Sequence, residues 1–160
     1  MRLTAFSDVS LRVLMLLSGL GGEQISTQKI AEGVGTPYNH VAKSVAFLAN
    51  MGLVESTRGR TGGVRLSEAG TRATVGQVLR ASEGDIPMVE CEGGANECPM
   101  RHACSLKKIL ANAREEFFKM LDSVVISELP NEQQMGPVFL ELGLGPLAQT
   151  KKLPQASFVS

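Results

Sequence analysis

All three cysteines of this chain fall within fourteen residues, Cys91-Glu-Gly-Gly-Ala-Asn-Glu-Cys98-Pro-Met-Arg-His-Ala-Cys104. The spacing, C-x6-C-x5-C, runs through glycine, acid and proline, so the segment reads as a loop. Thiolates are soft ligands, and three of them on one flexible loop can converge on a single metal centre. A fourth position is then left for water, a non-cysteine side chain or another subunit. A disulfide would leave one cysteine over. Buried structural cysteines sit among Leu and Val, whereas these neighbour Glu90, Glu92, Glu97 and Arg101. Zinc on three cysteines plus His102 stays open beside an iron–sulfur cluster. Zinc loops usually pair cysteines more closely, and the wider spacing favours the cluster.

The rest of the chain must present that loop. At 160 residues it suits one small domain plus an oligomerisation element. No apolar run approaches the length of a membrane span. Met1-Arg2-Leu3 lacks a secretory layout, so the expected compartment is the cytoplasm, with no membrane partner. Formal charge is zero overall, but residues 1–80 carry nine Lys/Arg against five Asp/Glu, and residues 81–160 seven against eleven. A basic first half implies a polyanionic partner for that half only.

Thr4 is placed to cap a helix to about Leu20, with Phe6, Val9, Val13, Leu16 and Leu17 on its apolar stripe. Asp8 and Arg12 lie one turn apart off that stripe, the spacing of an exposed ion pair. Ser26 caps a second, short helix to Glu32, which Gly33-Val34-Gly35 breaks. Thr36-Pro37 opens a third helix to about Met51. Two short helices around a Gly-containing turn have the helix-turn-helix shape. The third helix offers Tyr38, Asn39, His40, Lys43 and Ser44 outward, donors, acceptors and a cation suited to the base edges and phosphates of double-stranded DNA. A plain solvated face is the competing use. Two strands, Leu53–Thr57 and Val64–Leu66, then flank a Gly-rich turn with Arg58 and Arg60 at its tip, the layout of a wing.

From Ser105 to Val124 apolar residues recur about every 3.5 positions, the seam of a helix packed along a partner helix. The fold class expected is mainly α with a small β-hairpin wing. It comprises a winged helix-turn-helix domain over 1–82, a cysteine loop over 83–104, a dimerisation helix over 105–129 and a disordered tail over 130–160. His40 and His102 are the chain's two histidines, and no Ser or Cys has the neighbours of an active nucleophile, so no enzyme is expected. A cluster-bearing electron carrier is the alternative from another class, but a carrier has no use for a helix-turn-helix and wing.

Together, Met1-Arg-Leu-Thr4, Asp8, Pro37-Tyr38, Gly52-Leu-Val54, Arg58-Gly-x-x-Gly-Gly63, Glu83-Gly84 and the cysteine loop resemble the iron–sulfur winged-helix regulators of the NsrR/IscR type. Cys91-Glu-Gly and Cys98-Pro-x-Arg-x-Ala-Cys104 are similar to the nitric-oxide-sensing branch. The resemblance implies a homodimeric DNA-binding repressor with crossed long helices and nitric oxide as signal. It implies a 4Fe–4S cluster, with 2Fe–2S as the alternative, held by Cys91, Cys98 and Cys104 and by Asp8 from the other subunit. Regulation by redox state or cluster supply through the same site is the alternative signal. Lys107 stands where the other branch has a histidine ligand. The first cysteine gap is six residues against the family's usual five, and Gly93-Gly94 can absorb the difference.

Overall fold

The computed structural model describes residues 3–59, 62–84, 89, 98 and 103–147. The first helix, α1 (Ala5–Ser18), begins where the Thr4 hydroxyl accepts the Ser7 N–H at 3.2 Å. Asp8 adds negative charge to its first turn, where the helix dipole favours it. Val9, Val13, Leu14, Leu16 and Leu17 are buried, which makes α1 the axis of the core. Each such side chain contributes on the order of 1.5–3 kcal/mol on leaving water. Serines on the same helix stay satisfied: Ser10 and Ser18 donate to the carbonyls of Phe6 and Leu14.

Ser26 caps α2 (Thr27–Val34), and Gly35 ends it at φ +64°. Gly33 does not break this helix; it lies inside it. The third helix, α3 (Tyr38–Asn50), starts directly after Pro37, which stands at the cap with no side-chain hydrogen bond. Thr36 instead turns its hydroxyl to the carbonyl of Val34. Val41, Val45 and Leu48 seat α3 against the core.

Strands β1 (Val54–Thr57) and β2 (Gly63–Leu66) pair antiparallel, Val54 opposite Leu66 and Thr57 opposite Gly63. The expected wing is therefore present. It is anchored by a contact the sequence does not advertise: Ile25 exchanges both backbone hydrogen bonds with Val64, at 3.1 and 2.8 Å. A Cβ at Gly63 would come within 2.9 Å of the Ile25 carbonyl oxygen, so the close approach needs glycine.

A short helix, α4 (Glu68–Thr71), leads to α5 (Val75–Glu83), capped by the Thr74 hydroxyl. The long helix α6 (Ser105–Asp122) follows, with Cys104 rather than Ser105 at its cap. Its end is sewn back onto the first part of the chain. Val75 donates to the carbonyl of Val124, Ile126 donates to that of Ala73, and the Ile126 side chain is buried. Of its apolar residues only Phe118 is buried, while Leu106 and Ile109 are each 61% exposed. A mainly helical chain with a two-stranded wing is the fold class expected.

The disordered tail expected from residue 130 is corrected over 131–147. Asn131 caps α7 (Glu132–Glu141) by accepting the Gln134 N–H, and Pro137 lies inside the helix. Proline removes one helical donor and normally breaks a helix. Here burial of Met135 and Phe139 in the main core outweighs that cost. Residues 148–160 lie outside the described residues.

Docking of α7 yields a direct test. Phe139→Ala, at a position 2% exposed, should lower unfolding free energy by about 3 kcal/mol. Leu140→Ala, at 83% exposure, should change it by less than about 0.5 kcal/mol. Equal urea midpoints for the two variants would contradict a docked helix.

Candidate functional site

Two groups of residues need placing: the polar set on α3 with the wing, and the cysteine loop with Asp8. On α3, Tyr38, Asn39, His40 and Lys43 are exposed on the first two turns, and Arg58 is exposed at the end of β1. Arg60 lies outside the described residues. Ser44 does not join the outer face. It is fully buried, and among the described residues its hydroxyl has no hydrogen-bond partner. The reason is helical phase. Ser44 follows Val41 by three residues and precedes Val45 and Leu48 by one and four, so it shares their inward face.

A cleft of about 250 Å³ joins the α3 start to the wing, lined by Ser26, Thr27, Gln28, Tyr38, Ser56 and Thr57. The polar lining at the start of α2 thus adjoins Tyr38 and the wing, beyond the residues read from the sequence. Ser26 signals itself as a cap, but nothing local shows that α2 opens beside the wing. That follows from the Ile25–Val64 pairing.

The cysteine loop is framed by α5 and α6. The α5 end is tied to α1: the Thr4 N–H and hydroxyl donate to Glu83 Oε1 at 2.8 and 3.0 Å, and the Ser7 and Ser82 hydroxyls meet at 2.7 Å. Burial pushes the Glu83 carboxyl up, but hydrogen bonds from Ser7 and Thr4 outweigh it and hold the group below its usual range. On the other side Arg80 of α5 donates to both oxygens of Glu115 at 3.1 and 2.9 Å and pairs with Asp122 at 3.0 Å. Its guanidinium lies 4.7 Å from the Phe118 ring centroid. Hydrogen bonds to Glu115 and then Asp122 hold Arg80 above its ordinary range, and Arg80 in turn lowers Glu115. These charges are largely solvated, so their role is placement more than stability.

Cys98 and Cys104 carry free thiols and are half-buried. Cys104 stands at the α6 cap without donating or accepting a side-chain capping bond. The residue before it, Ala103, has φ +56°, a left-handed conformation that costs about 1–2 kcal/mol for an L-residue. Uncrosslinked thiols of this kind fit a soft metal centre. Cys91 and His102 lie outside the described residues. Asp8 is half-exposed and held by Arg12, with contacts of 2.5 and 3.1 Å. The ion pair expected from i,i+4 spacing is thus formed in the single chain.

A sequence profile of the Rrf2 family, described as iron-dependent transcriptional regulators, matches residues 3–132. The chain is 44% identical over 144 residues to the HTH-type transcriptional repressor NsrR of Streptomyces coelicolor, covering 89% of this chain and 96% of that protein. It is 35% identical over 136 residues to the HTH-type transcriptional regulator NsrR of Bacillus subtilis, covering 84% and 93%. Among solved structures it resembles CymR, the global cysteine regulator of B. subtilis, with a TM-score of 0.63 at 24% identity over 81% of this chain and 95% of that one. It also resembles T. potens IscR, with a TM-score of 0.61 at 21% identity over 79% and 84%. At those identities the structural likenesses bear on fold.

The Glu83 contacts predict a pH dependence. Its folded pKa lies below the unfolded value of 4.5, so its contribution is present above that pH and lost as pH falls through the folded pKa. Metal-free wild type should therefore lose thermal midpoint on acidification below about pH 4.5, and Glu83→Gln should lose less over the same range. Identical pH profiles would remove Glu83 as a stabilising contact.

Proposed function

The chain belongs to the Rrf2 family of transcriptional regulators and is not an enzyme, and from that premise we propose that it is a nitric-oxide-sensitive repressor acting as a cytoplasmic homodimer on double-stranded DNA and sensing through an iron–sulfur cluster. One observation carries the reading. The helix framing the cysteine loop, α5, touches both α1 of the DNA-binding half and the long helix α6. A change at the loop therefore bears on both. No helix among the described residues is long and apolar enough to cross a membrane.

Tyr38, Asn39, His40 and Lys43 would face the major groove, with Arg58 and Arg60 at the wing and Ser26, Thr27 and Thr57 beside the backbone. The exposed seam of Leu106, Ile109 and Met120 on α6 would pack against a second copy. Cys91, Cys98, Cys104 and Asp8 of the partner subunit would hold the cluster, most simply 4Fe–4S. Bound there, the cluster would supply iron reactive towards a diatomic ligand, with Asp8 as the hard, weak ligand beside three thiolates. When not a ligand, Asp8 is held by Arg12. The same helix turn reaches α3, because the Phe6 ring packs edge-on against Phe47 with centroids 5.1 Å apart. The signal thus reaches the reading helix through packed side chains.

Anaerobically purified protein should be coloured, and native mass spectrometry should report a dimer carrying two clusters whose mass shifts on nitric oxide addition. Alanine at Cys91, Cys98 or Cys104 should abolish the visible absorbance, while Asp8→Ala should keep a shifted spectrum and His102→Ala an unchanged one. A colourless zinc protein, or a spectrum that responds only to the His102 change, would overturn the ligand set.

The DNA surface has its own signature. Lys43→Ala and Arg58→Ala should each weaken binding across sequences and flatten the log affinity versus log salt slope by about one unit. Wild-type slopes in both variants would mean that the surface is misplaced.

A further inference from the structure

Helix α7 lies almost wholly beyond residues 3–132, the stretch shared with the family profile, yet it reaches the helix-turn-helix unit. The Phe139 ring lies against Gly19 at the end of α1, where an added Cβ would stand 2.8 Å from its Cζ. Leu142 lies against Gly33 of α2, where an added Cβ would stand 2.8 Å from its Cδ1 and 3.0 Å from Cδ2 of Leu16 on α1. Lys29 of α2 donates to the Leu142 carbonyl at 3.5 Å. The chain then turns through Gly143 at φ +63°, with Leu144 N–H donating to the Phe139 carbonyl at 2.8 Å, and Leu147 returns to Gly19. Gly19 and Gly33 thus mark where a segment far along the chain sits against the α1–α2 corner.

We propose that residues 131–147 form a brace that positions the DNA-reading unit from behind, with Phe139 and Leu142 as its positioning residues. The physical reason lies in what α2 otherwise rests on. It has eight residues and buries three, Ile30, Ala31 and Val34, so its own packing fixes its tilt weakly. Leu142 closes the side of α2 that faces α1, and Gly33 allows the side chain to lie directly on the helix backbone. The opposite end of α2 opens the polar cleft beside Tyr38. A tilt of α2 about the Gly33 contact therefore moves Thr27 and Gln28 relative to the wing. The brace is also continuous with α6. Ile126 is locked to Ala73, Ser127 donates to the Thr71 carbonyl, and Asn131 opens α7 five residues past Ile126. The long helix is thereby connected to α2 through residues 126–142, which pack against α1 on the way.

The DNA arm of the test rests on the function proposed above; the exchange arm does not. The probe is a duplex selected by the wild-type protein from a random pool, compared with a scrambled duplex of the same composition. Leu142→Ala should lose about tenfold affinity for the selected duplex and less than about twofold for the scrambled one, a coupling of the size that repositioned elements show. Its dimer mass and visible absorbance should match wild type, since the contacts of Phe139, Leu142 and Leu147 described above lie on Gly19, Leu16 and α2. Amide exchange should speed up in α2 while α5 keeps wild-type protection. Gly33→Ala should reproduce the selective loss, and combining it with Leu142→Ala should cost less than the sum, because the added methyl then enters the space that Leu142 vacates. Retained selectivity with unchanged α2 exchange in both single variants would overturn the brace. If the wild type selects no duplex, the DNA reading falls and the exchange comparison alone decides the brace.

Discussion

Everything that carries chemistry in this chain hangs from the placement of α5. One end of that helix is held to α1 by Ser82 and Glu83, and its middle is held to α6 by Arg80. The two contacts differ in kind. The α1 side is a cluster of short, directional hydrogen bonds at a partly buried corner. The α6 side is a guanidinium gripping two carboxylates and covering an aromatic ring. Planar Arg suits this task better than Lys, because its fork fixes direction as well as distance. Gly76 lets α6 come close: a Cβ there would stand 2.6 Å from the Asp122 backbone nitrogen. The long helix and the DNA-binding half are thereby both held to α5.

That arrangement explains why a neutral chain divides its charge. The basic half exposes Lys43 and Arg58 on α3 and the wing, and the acidic half carries Glu90, Glu92 and Glu97 in the cysteine segment and sets Glu115 and Asp122 against Arg80. Solubility and recognition are served by different segments, and the overall charge describes neither.

Much of this was legible in the residues. Caps at Thr4, Ser26 and Thr74 are local hydrogen-bond signals, and each is used as read. Polar residues on α3 and the hairpin were legible because helix and strand periods are short-range properties. What failed did so where distant contacts override local rules. Ser44 looks like its neighbours in sequence, yet one step of helical phase buries it. Gly33 reads as a breaker but is a contact site, and the tail from residue 130 reads as disordered but is ordered by the burial of Met135 and Phe139. The Ile25–Val64 pairing joins residues 39 apart with no motif to announce it. Cys91, His102 and Arg60 lie outside the described residues, so the ligand set and the wing tip rest on chemistry and kinship.

Under the proposed function, Asp8 would need only a weak holding contact in the single chain. Its pair with Arg12 has good geometry, with two contacts from one guanidinium. Both side chains are about half-exposed, 48% and 51%, and an exposed helical pair of this spacing is worth on the order of 0.3–0.5 kcal/mol. A carboxylate so held is pre-oriented off the apolar stripe and remains available to a stronger partner. A buried pair would be a poor choice, since removing one member would strand the other charge in low dielectric. Arg12, left alone in solvent, suffers no such penalty. The cost of taking Asp8 away is then small beside the energy of a metal–ligand bond, and so is the cost of giving it back. In the proposed switch, reversibility at this position would follow from exposure, and transmission from Phe6, two residues before Asp8, whose ring packs against Phe47 of α3.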